Sequence, residues 1–210
     1  MITFNLRLAT RSMLWLGPVF IVLLWTLLTL SDPGPAFTNA GNWFIVFVAI
    51  TCWITVIIGN VDDDGHRELL AAAIGSPAAL HRSRAISAFI AANAIGAVPM
   101  IGGILAASRP ARPISETYIV VVCVLMQLAA VAIGVAIGTT VHRPVVRHRG
   151  ITLLVSCGAL VCLVLMPPVE FVLRQLNDGR AGGVAALAAA ALAVAVVAVA
   201  LAGELAERRN

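Results

Sequence analysis

Long apolar runs separated by short polar breaks dominate this chain. Residues 13–30, 42–59, 84–107, 116–140, 151–166 and 184–202 are each rich enough in Leu, Ile, Val, Ala and Phe to predict a membrane-spanning helix. The breaks hold residues that end helices or need water. Ser31-Asp32-Pro33-Gly34-Pro35 follows the first run, Ser108-Arg109-Pro110-Ala111-Arg112-Pro113 the third, and Pro167-Pro168 the fifth. In residues 1–12, Arg7 and Arg11 are set among Ile2, Phe4, Leu6 and Leu8, which predicts a short interfacial helix ahead of the first span. Residues 169–183 are polar and amphipathic, and 204–210 make a charged tail. The expected fold class is all-α: one polytopic membrane domain over 1–210 with six transmembrane helices.

The longest polar break runs from Asn60 to Arg84, NVDDDGHRELLAAAIGSPAALHRSR. Its pattern predicts a short helix over 65–74, with Leu69, Leu70, Ala73 and Ile74 on one face. Asp64 or Gly65 suits the N-cap, where a carboxylate also meets the positive end of the helix. Gly75 is placed to stop it, Ser76 to cap a second helix, and Pro77 to occupy that helix's first position. The second helix then runs through Arg84 into the third span. Ten helical residues cover about 15 Å, too little to cross a bilayer, so the short helix is expected to lie at the membrane surface.

Composition supports a membrane protein and narrows what it can do. The chain of 210 residues is 60% hydrophobic and 11% charged, with a mean hydropathy of +0.99. It contains no lysine, so it has no phosphate-binding loop of the ATPase kind, which needs that side chain. The basic pI of about 9.4 comes from arginines at the ends of apolar runs, which points to membrane orientation and away from nucleic acid. Six spans put both termini on one side, together with Arg7, Arg11, Arg67, Arg82, Arg84, Arg143, Arg147, Arg149, Arg208 and Arg209. Only Arg109, Arg112, Arg174 and Arg180 fall on the other side. The excess places the termini and the 60–84 stretch in the cytoplasm of a multi-pass protein of the cell membrane. The first apolar run is too long, and lacks a small-residue cleavage site, to be a cleaved signal. Cys52, Cys123, Cys157 and Cys162 all lie in apolar runs without CxxC spacing and read as small hydrophobes.

Candidate chemistry is sparse. The spans are expected to hold no ionisable side chain of the kind that couples transport to protons or ions. Their polar residues are mild: Thr51, Thr55, Asn93, Gln127 and Ser156, each suited to a bond between helices, with Asn93 and Gln127 the candidates for a substrate path. Gly134 and Gly138 form a GxxxG pair that permits close helix packing. Asp62-Asp63-Asp64-Gly65 invites a metal-dependent transferase acting on CDP-alcohols, but Glu68 and Leu69 stand where Ala and Arg are needed and no downstream aspartate pair exists. Helix capping and contact with a partner's cations account for the aspartates better. His142 and His148 flank a basic loop without further metal ligands nearby, and no Ser-His-Asp set or HExxH motif is present. No metal or cofactor is expected on the chain, and it draws energy from a partner or uses none.

The segment Arg67-Glu68-Leu69-Leu70, followed by Gly75-Ser76-Pro77 and by Arg82-Ser83-Arg84 at the start of the third span, resembles the permease subunits of ATP-binding-cassette exporters, the ABC type-2 membrane domains. The six-span layout, the amphipathic N-terminal stretch and the broken segment 167–183 are similar too. One departure is Glu68, which stands where the family has a glycine before the leucine pair. The resemblance implies that 65–74 is a coupling helix docking on a separate ABC ATPase subunit through Asp64, His66, Arg67, Glu68, Leu69, Leu70, Ala73, Ile74 and Pro77. It implies a second, minor contact at His142, Arg143 and Arg147. ATP and Mg would be bound by the partner ATPase, so the chain is not itself an enzyme. A second permease copy or a sister permease would complete the path for an amphipathic, lipid-like, peptide or antibiotic substrate, with membrane lipid around it. The competing expectations are a carrier or channel that works without a cassette partner, and a non-transport scaffold subunit.

Overall fold

A computed structural model describes residues 1–31, 36–62, 64–106, 115–141 and 181–208, and every element among them is a helix. In chain order these are α1 (Ile2–Arg11), α2 (Leu16–Ser31), α3 (Ala36–Asn60), α4 (Asp64–Ile74), α5 (Pro77–Ala106), α6 (Glu116–Val141) and α7 (Ala181–Arg208). Four are long and apolar enough to cross a membrane, over Gly41–Asn60, Pro77–Leu105, Glu116–Val141 and Gly182–Arg208. The bent pair α1 and α2 makes a fifth if taken as one span. The expected span at 151–166 lies outside the described residues, as do the basic loop at 142–149 and its candidate contacts His142, Arg143 and Arg147.

The first span is corrected at its start. Residues 13–15 form a bend, and α1 and α2 meet at 83° with Met13 at φ 58, a left-handed backbone that bulky residues adopt reluctantly. The corner is held from both sides. Trp15 Nε1 donates to Thr10 O at 2.8 Å and Ser12 Oγ to Ala9 O at 2.7 Å, which satisfies carbonyls left open where α1 ends. The last span is corrected in the other direction. Helix α7 begins at Ala181 and continues to Arg208, so most of the expected charged tail is helical. Its Glu204 and Glu207 point outward while Ala202 and Ala206 remain buried.

Helices α3 and α6 form the centre. Their candidate spans are 67% and 61% buried, against 22% for each of α5 and α7. Close approach explains why this pair is central. A Cβ on Gly134 would stand 2.5 Å from Thr51 Cβ and 2.8 Å from Val48 O. One turn on, a Cβ on Gly138 would stand 2.5 Å from Thr55 Cβ. The glycine pair therefore works inside the molecule, where backbones meet without an intervening side chain. Helix α7 packs on α6 and α5, with a stripe of small residues, Ala188, Ala191, Ala195 and Ala202, buried along it, and a Cβ added at Gly203 would come within van der Waals distance of Ala78 on α5. Helix α1 is pinned to α5 by the buried Asn5, which donates to Ser83 Oγ at 3.3 Å and Ser87 Oγ at 3.4 Å. As a result α1, the C-terminal turns of α7 and the short helix α4 gather at one end of the bundle.

Candidate functional site

The end of the bundle that carries α4 holds most of the polar chemistry. The local sequence dictates its shape. Gly75 takes φ +96, open to glycine and strained for other residues, and this turns the chain out of α4. Ser76 Oγ accepts the Ala79 N–H at 3.1 Å, a side-chain cap for α5, and Pro77 is the first residue of that helix. Helix α4 already begins at Asp64, one residue earlier than the expected boundary.

Burial divides α4 lengthwise. Arg67, Leu70 and Ile74 are partly buried and Ala71 is buried, which is the i, i+3, i+4, i+7 stripe of a helix packed on one side. Helix α5 is the element it packs on. His66, Glu68, Leu69, Ala72 and Ala73 are exposed on the opposite side, and Leu69 is 71% exposed. This corrects the expectation that Leu69, Leu70, Ala73 and Ile74 share a face. Adjacent residues are about 100° apart on a helix, so a band four residues wide straddles the boundary between the two sides. Leu69 and Ala73 stay outward, Leu70 and Ile74 turn in, and Pro77 is partly buried at the start of α5. The side chain of Asp64 lies outside the described residues.

Beneath α4 lies a charged node. Arg84, on α5, pairs through Nη2 with Asp62 Oδ2, in the break before α4. The two side chains are only 5% and 2% exposed. Arg84 Nη1 also donates to Gly59 O at 3.2 Å, and Arg67 Nη2 approaches the same carbonyl at 3.5 Å. Two guanidinium groups thus meet the last turn of α3, whose open carbonyls carry the negative end of the helix dipole. His66 Nε2 stands 3.9 Å from the other Asp62 oxygen. His81, also on α5, is buried one turn before Arg84. The node stands at the start of the expected span 84–107, at the end nearest the polar break. Pro77–Leu105 is apolar enough to cross a membrane, and it contains both a buried histidine and a buried arginine.

In the sequence alone Arg84 stands out for its sign and Asp62 as one of a run of helix-capping aspartates, so neither, read that way, points to the node. A readable signal existed. An arginine two turns inside a hydrophobic helix needs a partner drawn in with it, and Asp62 is a nearby carboxylate across the α4 turn.

At the other end of the bundle α2, α3, α5 and α6 border a partly open cavity of about 40 Å³, lined in part by Trp25, Trp43, Phe44, Met100, Gly103 and Gln127. A water needs roughly 10–15 Å³ of such space, so the cavity has room for about three. Pro99, which also lines it, removes one backbone bond from α5 at this level. Trp43 Nε1 donates to Gln127 Oε1 at 3.0 Å across α3 and α6, and the amide nitrogen of Gln127 packs over Gly96, which has no side chain to displace it. Asn93 bonds along its own helix to Phe89 O at 2.9 Å. The two candidate path residues thus have different partners.

Among the described residues no three His, Cys, Asp or Glu side chains come together as a metal site would need. Cys52 and Cys123 are buried in α3 and α6. Comparison of the chain with protein-family models, with curated proteins and with solved structures found no match.

Proposed function

We propose that the chain is the permease subunit of an ATP-binding-cassette exporter of the type-2 class, driven by a separate ATPase subunit. One observation carries the reading. Helix α4, of 11 residues, stands between two long apolar helices and presents an outer side on which Leu69 is 71% exposed. At about 1.5 Å per residue it is too short to cross a bilayer, and its exposed Leu69, Ala72 and Ala73 together offer a small apolar side that a soluble partner can cover. Leu69 and Ala73 supply the apolar part of the docking surface, with Glu68 and His66 at its edge. Arg67, Leu70 and Ile74 support it from behind, and Asp64 and Pro77 bound it.

The layout agrees with this role. Arginine distribution supports a cytoplasmic position for α4 and both termini, within reach of a soluble ATPase, and the basic, amphipathic sequence of α1 supports its lying along the membrane surface. Helices α6 and α7 both finish at the α4 end, which supports a further crossing between them and the six-span count. His142, Arg143 and Arg147 provide the second cytoplasmic contact. ATP and Mg belong to the partner. A second permease, identical or a sister chain, completes the path, and the weakly charged interior favours an amphipathic, lipid-like, peptide or antibiotic substrate.

Co-expression with a cassette ATPase tests the proposal. The expected result is a stable complex in membranes whose ATP hydrolysis exceeds that of the ATPase alone. Solute movement by the purified chain in proteoliposomes without any ATPase would identify a carrier or channel instead. A complex without stimulated hydrolysis or transport would identify a scaffold.

A further inference from the structure

The node at Gly59, Asp62, Arg67 and Arg84 has a geometry that docking alone does not require. Asp62 lies just before α4 and Arg84 lies two turns into α5, so their ion pair closes across the whole of α4. Gly59 O brings in the end of α3, and Arg67 brings in α4 itself. All three helices that meet here therefore contribute a group to one buried cluster.

Helix α4 has weak joints at each end. One is the break at 61–62 and the other is Gly75 at φ +96. Ala71 is its only buried side chain among those described. A helix so lightly packed, with a turn at either end, swings unless something braces it. We infer that Asp62 and Arg84 are positioning residues whose pairing fixes the direction of α4 relative to α3 and α5, so that a displacement of α4 is delivered to the bundle. This inference rests on reading α4 as the handle that a cassette subunit grips.

Arginine suits the joint because its planar fork reaches a carboxylate and a carbonyl together, whereas a lysine ammonium offers a single point charge. Burial removes the water that would otherwise compete for both groups. His66 faces the second Asp62 oxygen from an exposed position, and Arg67 faces Gly59 O from the same helix. Neither spans from α5 to the break before α4.

Distance measurements between spin labels test the joint without any ATPase. The full chain, with its native cysteines replaced, carries one label at Ala72→Cys on α4 and one at Leu205→Cys on α7. A control pair at Val121→Cys on α6 and Leu205→Cys reports on the bundle. All samples are in lipid nanodiscs. Arg84→Gln and Asp62→Asn are each expected to roughly double the width of the α4 distance distribution while leaving the control pair unchanged, the signature of local loosening. Arg84→Lys is expected to fall between. An unchanged α4 distribution in either Arg84→Gln or Asp62→Asn overturns the inference. So does equal broadening of the control pair, which would make the ion pair a brace of the whole bundle. Failure of the chain to capture a cassette subunit would overturn the docking role while leaving these widths as expected, so the two ideas fail separately.

Discussion

Gly134 of α6 lies directly against Thr51 of α3, so close that an added Cβ would come within 2.5 Å of the threonine's own. The helices at the centre of the bundle are separated by backbone and one methyl group. Gly134→Ala is expected to destabilise the folded chain by about 1–3 kcal/mol, the usual cost of overpacking a core. Gly103→Ala on α5 meets nothing within 4 Å and serves as the control. It is expected to be neutral or stabilising by up to about 1 kcal/mol, since alanine favours the helix. Thermal unfolding in detergent, followed by circular dichroism, compares the two. Equal effects would contradict the packing described.

Asn5 is the polar pin of α1. Asn5→Ala removes both donors to α5 and leaves Ser83 and the fully buried Ser87 without that partner, at a cost of about 1 kcal/mol for the lost bond. The loss should be local. Hydrogen exchange is expected to speed up across 2–11 and to stay unchanged in α3 and α6. Unchanged exchange in 2–11 would show that α1 is held by other contacts.

The turn after α4 tests backbone conformation alone, because a Cβ on Gly75 would touch nothing within 4 Å. Gly75→Val is expected to lower stability by roughly 1–2 kcal/mol through left-handed strain, and Gly75→Asn by clearly less, since asparagine tolerates that region. Thermal unfolding of the pair distinguishes them. Equal losses would mean that the positive φ is not the cause.

The two leucines of α4 should separate in their effects. Leu69→Asp places a charge on a side chain that is 71% exposed, so stability is expected to change by less than about 0.5 kcal/mol while capture of the cassette ATPase is lost. Leu70→Asp puts the charge on the side packed toward α5 and is expected to lower both. Capture and unfolding measured on the same preparations check this. Retained capture by Leu69→Asp would remove that residue from the docking surface.

Much of this fold could be read directly from residue types. Glu116 to Thr140 was expected as a span and α6 covers Glu116–Val141, because an uninterrupted apolar run in lipid has few options other than a helix. The Gly75-Ser76-Pro77 punctuation was legible for the same local reason, since each residue acts on its own backbone or the next turn. What depended on tertiary contact was not legible. A break between a short N-terminal helix and the first span was legible near residue 12, but its extent through 13–15 was not, because those residues are as apolar as the helix that follows. The division of α4 between Leu69 and Leu70 is decided by where α5 lies. The Asp62–Arg84 pair joins positions separated by an entire helix and its turns, so the residue type of Arg84 calls for a partner while only the fold selects Asp62 among the neighbouring carboxylates.

The docking role of α4 is tested most directly by a photo-crosslinking residue placed at Leu69 in cells that co-express a cassette ATPase. The same residue at Leu28, exposed at 56% on α2 near the opposite end of the bundle, is the control. The expected result is a crosslink to the ATPase from position 69 and none from position 28. No crosslink from 69, in a chain that reaches the membrane intact, would contradict the account.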